Sequence, residues 1–129
     1  MKKVLNILLV LILFLATAVK AQAMNFEQAY SQVDKKPLVV LIYAKWSDGY
    51  QNNIQQFRAS KTTLGSKFNF VELDLASTDA RAYCEKYHIY PKLPYIIMYR
   101  DGGKISRYIP RECASNSACI TSKLKSFIQ

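Results

Sequence analysis

The stretch LVVLIYAKWSDGY, residues Leu38 to Tyr50, decides the fold because it contains both a strand and the start of a helix. Its first part, Leu38 to Ala44, is apolar or aromatic without alternation, which is typical of a strand covered on both faces of a sheet. Ser47 is then predicted to cap a helix, and Ile54 and Phe57 begin the apolar stripe of that helix. The stretch therefore predicts a central strand, a short turn and a helix.

Apolar periodicity predicts further elements on both sides of this stretch. Upstream, Asn25 is predicted to cap a short helix. The helix that begins at Ser47 is predicted to end at Gly65. The other predicted elements are a helix over Phe26–Val33, a strand over Phe68–Leu75, a helix over Thr78–Tyr87, a strand over Tyr95–Arg100, a turn at 101–103, a strand over Lys104–Ile109 and a last helix capped within Ser115–Ser117. Alternation of strand and helix predicts parallel pairing, and the turn at 101–103 predicts an antiparallel hairpin.

The turn after the first strand resembles the active-site segment of the thioredoxin-like superfamily. In that family Trp-Cys-Gly-Pro-Cys lies between a buried strand and a helix, whereas this chain has Trp-Ser-Asp-Gly-Tyr from Trp46 to Tyr50. Ser47 stands at the position of the nucleophilic cysteine and Tyr50 at that of the resolving cysteine. Leu41 falls where thioredoxins usually carry a buried acid. The resemblance is thus to an exported member of the superfamily that lacks the Cys-x-x-Cys motif.

A second segment supports the resemblance. Leu93-Pro94-Tyr95 lies where thioredoxin-like proteins carry a cis-proline before the hairpin strand, 47 residues beyond Ser47. The resemblance implies an α/β, thioredoxin-like fold with a central mixed sheet of about four strands flanked by helices. It covers residues 24–129, which are predicted to form one domain.

The first residues have the pattern of an export signal. Lys2 and Lys3 precede an apolar stretch from Val4 to Val19, and Ala21-Gln22-Ala23 is a small-x-small cleavage site. Residues 1–23 are therefore predicted to be a signal peptide, and an uncleaved membrane anchor is the alternative. The protein is expected to be periplasmic or secreted, or held at the inner membrane if the segment is retained.

The charge of the chain is basic but dispersed. Residues 1–23 contain three lysines and no acid, so the formal net charge of +9 for the whole chain leaves +6 on residues 24–129. Basic residues scattered among acids favour solubility over binding to an anionic surface. No nucleic-acid partner and no cofactor are expected, and a membrane partner is expected only if the N-terminal segment is retained.

The cysteines have a structural and a catalytic interpretation. Cys113 and Cys119 flank the start of the last helix, and a disulfide between them is expected to stabilise the fold by roughly 2 kcal/mol. The alternative is an exposed disulfide beside Pro94 that exchanges with substrates. Cys84 and His88 have the spacing of two metal ligands, but no third ligand accompanies them, so Cys84 is predicted to be a buried cysteine on a helix face and no metal site is predicted.

The predicted function is binding rather than catalysis. A serine at position 47 is not ionised near neutral pH and cannot form a disulfide, and activating it would need a nearby base. The resemblance implies that Trp46, Tyr50 and Tyr95 meet in a groove for an extended peptide, with Leu93 and Pro94 at its edge. The residues of that groove are Trp46, Tyr50, Leu93, Pro94 and Tyr95, and Tyr90 borders it.

The expected partner is a protein or peptide of the cell envelope, bound through the Trp46 and Pro94 face. Two alternatives remain open. One is a thiol-disulfide oxidoreductase that works through Cys113 and Cys119, and the other is an accessory structural subunit of an envelope complex.

Overall fold

The computed structural model describes residues 24–129, and the predicted signal segment, 1–23, lies outside the described residues. A sheet of four strands, in which the second, first, third and fourth strands along the chain lie side by side in that order, is flanked by helices. The elements are α1 (Phe26–Tyr30), β1 (Leu38–Tyr43), α2 (Tyr50–Leu64), β2 (Asn69–Asp74), α3 (Thr78–Lys86), β3 (Tyr95–Arg100), β4 (Ile105–Ile109) and α4 (Ser117–Phe127). Within residues 24–129 no helix is long and apolar enough to cross a membrane.

The sheet is mixed, as predicted. Strand β1 pairs in parallel with β2 and antiparallel with β3, and β4 pairs antiparallel with β3. Each residue from Leu38 to Ile42 is 0% exposed, because neighbouring strands cover both edges of β1 and helices cover both faces. The uninterrupted apolar run was the correct indicator of a central strand.

Two apolar cores cover the two faces of the sheet. On one face, side chains of α2 and α4 such as Phe57 and Leu124 pack on Val39 and Leu41. Leu41 is therefore fully buried at the position where the resemblance implies an acid. On the other face, side chains of α1 and α3 pack on Leu38, Val40 and Ile42.

The α1 and α3 face is rich in tyrosine. Tyr30, Tyr83, Tyr87 and Tyr99 form a cluster with Phe26 in which ring centroids lie 4.4 to 6.0 Å apart. The hydroxyl groups of Tyr83 and Tyr99 hydrogen-bond to each other. Burial raises the pKa of Tyr87 and of Tyr99 to about 12. Phe26, Tyr83 and Tyr99 are buried in the core, and Tyr30 and Tyr87 pack against it partly exposed.

Ser47 does not cap a helix, so that prediction is wrong. Helix α2 begins three residues later, at Tyr50, and its cap position is Gly49, which has a φ of 77° and contributes no side-chain hydrogen bond. The Ser47 N–H donates to the Ala44 carbonyl at 3.0 Å, and the Ser47 carbonyl accepts from the Tyr50 N–H at 3.3 Å. Glycine adopts a positive φ without steric cost, so the chain makes a turn before the helix starts.

The cap of the last helix is Asn116, which lies between the serines at the two ends of the predicted range. Its Oδ1 accepts from the N–H groups of Ala118 and Cys119, at 2.9 and 3.2 Å. Other boundaries also differ by a few residues. Helix α1 ends at Tyr30, and 101–103 is a short 3-10 turn with positive φ at all three residues, so β4 begins at Ile105.

The predicted disulfide between Cys113 and Cys119 is present, with their Cα atoms 5.4 Å apart. It joins a 3-10 turn, Arg111–Ser115, to α4. Cys113 is 1% exposed and packs in the core against α2 and α4, whereas Cys119 is half-buried. The alternative of an exposed disulfide therefore fails for Cys113, since the preceding turn places it among apolar side chains.

We expect Asn116→Ala to lower the free energy of unfolding by about 1 kcal/mol, because it removes the side chain that caps α4. Ser47→Ala is the matched control and should change stability by less than about 0.5 kcal/mol. Urea denaturation followed by circular dichroism measures both. A larger loss from Ser47→Ala than from Asn116→Ala would contradict this assignment of caps.

Candidate functional site

The Trp46 turn and the Pro94 segment emerge at the same end of the sheet. Strand β1 ends at Tyr43 and β3 begins at Tyr95, and Ile42 lies opposite Tyr95 in the antiparallel pairing. The peptide bond between Leu93 and Pro94 is cis, as the resemblance implies. Both segments implied by the resemblance therefore lie beside the central strand.

A groove opens where β3 begins and β4 ends, and we call it the Pro94 groove. Its volume is about 390 Å³. Rings line most of it: Tyr90, Pro94, Tyr95, Tyr108 and Pro110. The buried residues Ile96 and Ile109, which lie opposite each other in the pairing of β3 with β4, complete its apolar surface. The groove thus offers a small apolar surface at the end of the sheet.

Two exposed tyrosines line this groove. Among residues 24–129, three large apolar side chains are exposed: Trp46 at 68%, Tyr90 at 91% and Tyr108 at 64%. Tyr90 and Tyr108 belong to the groove. Tyr108 contacts Tyr95 edge to face, with ring centroids 5.3 Å apart. Exposed aromatic side chains gathered at one place are characteristic of interaction surfaces.

Of the five predicted groove residues, two line the Pro94 groove: Pro94 and Tyr95. Trp46 and Tyr50 are not among the residues that line the Pro94 groove. The Tyr50 ring instead stacks on Tyr43, with centroids 6.2 Å apart and planes 9° from parallel. Because α2 begins at Tyr50 rather than at Ser47, Tyr50 is the first residue of the helix. Its side chain packs beside β1. Trp46 stands exposed in the turn.

Leu93 is half-buried, and its side chain packs against the core on the α1 and α3 face. Neither its N–H nor its C=O takes part in a backbone hydrogen bond within the described part of the chain. These two groups therefore have no backbone partner within residues 24–129.

The Trp46 turn holds no thiol. Ser47 and Tyr50 are the residues of interest there, and the Ser47 hydroxyl makes no side-chain hydrogen bond within residues 24–129. Cys84, the free cysteine, lies on α3 and is half-buried rather than buried as predicted. Burial raises the pKa of its thiol, which lowers its reactivity as a nucleophile. The described cysteines thus offer no activated thiolate at a helix start.

Cys84 and His88 line a second cavity, of about 430 Å³, together with Glu85 and Tyr90. His88 follows the end of α3 and has a φ of 54°. No group of three or more histidine, cysteine, aspartate or glutamate side chains in the described range is placed to hold a metal ion. The arrangement therefore provides at most two ligands.

Sequence reasoning did not identify Tyr108, Lys92 and Arg111 as groove residues. Tyr108 had a recognisable signal, since it is an aromatic residue at an outward position of an edge strand, next to the buried Ile109. No local sequence signal marks Lys92 and Arg111 as groove residues, because only the pairing of β3 with β4 brings residues 90–95 near residues 108–111.

Comparison with known proteins shows the fold. No protein-family model and no curated protein matches the sequence. The crystal structure of ERdj5 form II is similar with a TM-score of 0.65 and 18% identity over 82% of this chain, which spans only 14% of that protein. Chloroplastic thioredoxin z gives 0.62 and 16% identity over 83% of this chain and 93% of its own.

The solution structure of oxidised thioredoxin from Plasmodium falciparum gives a TM-score of 0.62 and 16% identity, over 81% of this chain and 90% of its own. Identities this low carry no information on activity. Together with the four-stranded mixed sheet, these neighbours show that the chain has a thioredoxin-like fold.

Proposed function

We propose that this protein is a non-catalytic thioredoxin-like domain that binds an extended polypeptide, a partner or a client, in the Pro94 groove. One observation carries the proposal: two exposed tyrosines, Tyr90 and Tyr108, line an apolar groove next to the unpaired backbone groups of Leu93. The proposal puts the domain in the cell envelope on the strength of the predicted signal segment alone.

Binding at this groove would combine backbone and side-chain contacts. An extended segment can donate to and accept from the main chain of Leu93, as in the addition of a strand to a sheet. An apolar side chain of that segment can rest on Tyr95 and Ile109 while Tyr90 and Tyr108 exclude water. Full burial of such a side chain contributes about 1.5 to 3 kcal/mol. One anchor of this size supports weak and reversible binding.

The absence of a thiol in the Trp46 turn supports binding without covalent exchange. A thioredoxin-type reaction needs a thiolate at the helix start and a second thiol to resolve the mixed disulfide. Ser47 and Tyr50 supply neither. A polypeptide held in the groove would therefore be released unchanged.

A thiol-disulfide oxidoreductase that uses Cys113 and Cys119 is the rival function, and the disulfide between them favours it. The burial of Cys113 argues against it, because a substrate thiolate must reach a sulfur along the axis of the bond that it breaks. Attack on Cys119 would leave the thiolate of Cys113 in an apolar core. Such surroundings raise the pKa of a thiol and therefore disfavour the thiolate. The third alternative is an accessory structural subunit of an envelope complex, held by residues 1–23 if they are not cleaved.

Fluorescence anisotropy with a short labelled peptide of core sequence Gln-Ser-Leu-Ser-Gln tests the groove. We expect Tyr90→Ser and Tyr108→Ser each to weaken binding several-fold and the double variant to weaken it about tenfold, or 1.4 kcal/mol. Both side chains are exposed, so the variants should stay folded, which circular dichroism checks. Lys123→Gln, an exposed change on α4, is the control.

Trp46→Ala in the same titration reports whether the site extends to the Trp46 turn. The proposal is wrong if the double tyrosine variant, shown to be folded, binds the peptide as well as the unchanged protein does.

We expect the domain comprising residues 24–129 to reduce insulin disulfides in the presence of dithiothreitol no faster than dithiothreitol alone, because no thiolate stands in the Trp46 turn. Turbidity of the released B chain measures the rate, and a thioredoxin serves as the positive control. Turnover that is abolished by Cys113→Ser and retained in Cys84→Ser would contradict the non-catalytic assignment and favour the oxidoreductase.

A further inference from the structure

We infer that the Pro94 groove selects acidic polypeptide segments, in which carboxylates on both sides of an apolar residue contact Lys92 and Arg111. This inference rests on the proposed function and names the class of polypeptide that the groove takes. Lys92 precedes β3 and Arg111 follows β4, so the two cations belong to the two segments that border the groove.

The charge of the groove is one-sided. Its lining contains the cations Lys92 and Arg111 and no aspartate or glutamate. The ion pairs in the described part of the chain are Arg58 with Glu72 and Arg100 with Asp101, so neither groove cation is neutralised by an internal partner. Glu112 follows Arg111 in sequence but does not line the groove. Two bound carboxylates would each meet an unpaired positive charge.

The surroundings of Lys92 and Arg111 increase the preference for acidic over basic segments. Both side chains are exposed and remain hydrated when the groove is empty. The rings of Tyr90, Tyr95 and Tyr108 beside them are apolar bodies that displace water once a chain is bound. Charges in contact across a surface of reduced hydration attract more strongly than they do in bulk water. A basic segment in the same place would be repelled and would desolvate two like charges.

An extended chain can present an apolar side chain between two carboxylates. Side chains at positions i and i+2 of a strand point to the same side and are about 6.6 Å apart. A segment Glu-x-Leu-x-Glu therefore presents one apolar side chain with a carboxylate on each side of it. The leucine meets the apolar surface formed by Tyr95 and Ile109, and each carboxylate can reach a cation at the border of the groove.

Three labelled peptides that differ only in charge test the inference: cores of Glu-Ser-Leu-Ser-Glu, Gln-Ser-Leu-Ser-Gln and Lys-Ser-Leu-Ser-Lys. We expect the acidic peptide to bind about fivefold more tightly than the neutral one at low salt, the effect of two exposed charge pairs. Raising the ionic strength to about 1 M should remove most of that advantage by screening. The basic peptide should bind most weakly.

The variant Lys92→Gln with Arg111→Gln should bind the acidic and neutral peptides equally. Lys123→Gln, which removes a charge from α4, should keep the preference. Equal binding of acidic and neutral peptides to the unchanged protein would overturn the inference and leave the proposed function standing. A preference that survives in the double variant would also overturn it, because the overall positive charge would then be its source. Binding of none of the peptides would overturn both.

Discussion

Complete burial of the first five residues of β1 is the constraint on which the rest of the structure depends. Each side chain from Leu38 to Ile42 is fully buried, and the strand is hydrogen-bonded on both edges. Each fully buried aliphatic side chain contributes about 1.5 to 3 kcal/mol, and β1 is the most completely buried strand of the sheet. The pairing of Ile42 with Tyr95 then fixes where β3 begins. Both the Trp46 turn and the Pro94 groove are consequences of that position.

The Pro94 groove and the disulfide lie at different places in the fold. The groove lies at the start of β3 and the end of β4 and is lined by rings, two cations and two isoleucines. The disulfide instead joins the turn after β4 to α4, with Cys113 inside the core. Cys113 and Cys119 are thus joined in a partly buried disulfide, and the Trp46 turn carries Ser47 and Tyr50 but no thiol.

Local sequence signals predicted the framework well and the site only in part. The apolar run of β1, the strand Tyr95–Arg100 and the Leu93–Pro94 segment were found because each depends on residues that are adjacent in sequence. Ser47 was wrongly assigned as a cap because Gly49 adopts a positive φ and delays the helix. That delay also directs Tyr50 onto Tyr43 and away from the predicted groove. Tyr108, Lys92 and Arg111 depend on the register of β3 with β4, which no local pattern encodes. That register brings Lys92 and Arg111, which are far apart in the sequence, to one groove.

The central claim is that a polypeptide binds at the Pro94 groove, and chemical-shift mapping tests it most directly. Two-dimensional ¹H–¹⁵N spectra of the labelled domain would be recorded while an unlabelled extended peptide is added. The account predicts that the largest shifts fall on the amides of Leu93, Tyr95, Tyr108 and Arg111, and that those of α2 and α4 stay in place. Shifts concentrated on the outer surfaces of α2 and α4, or no shifts at saturating peptide, would contradict it.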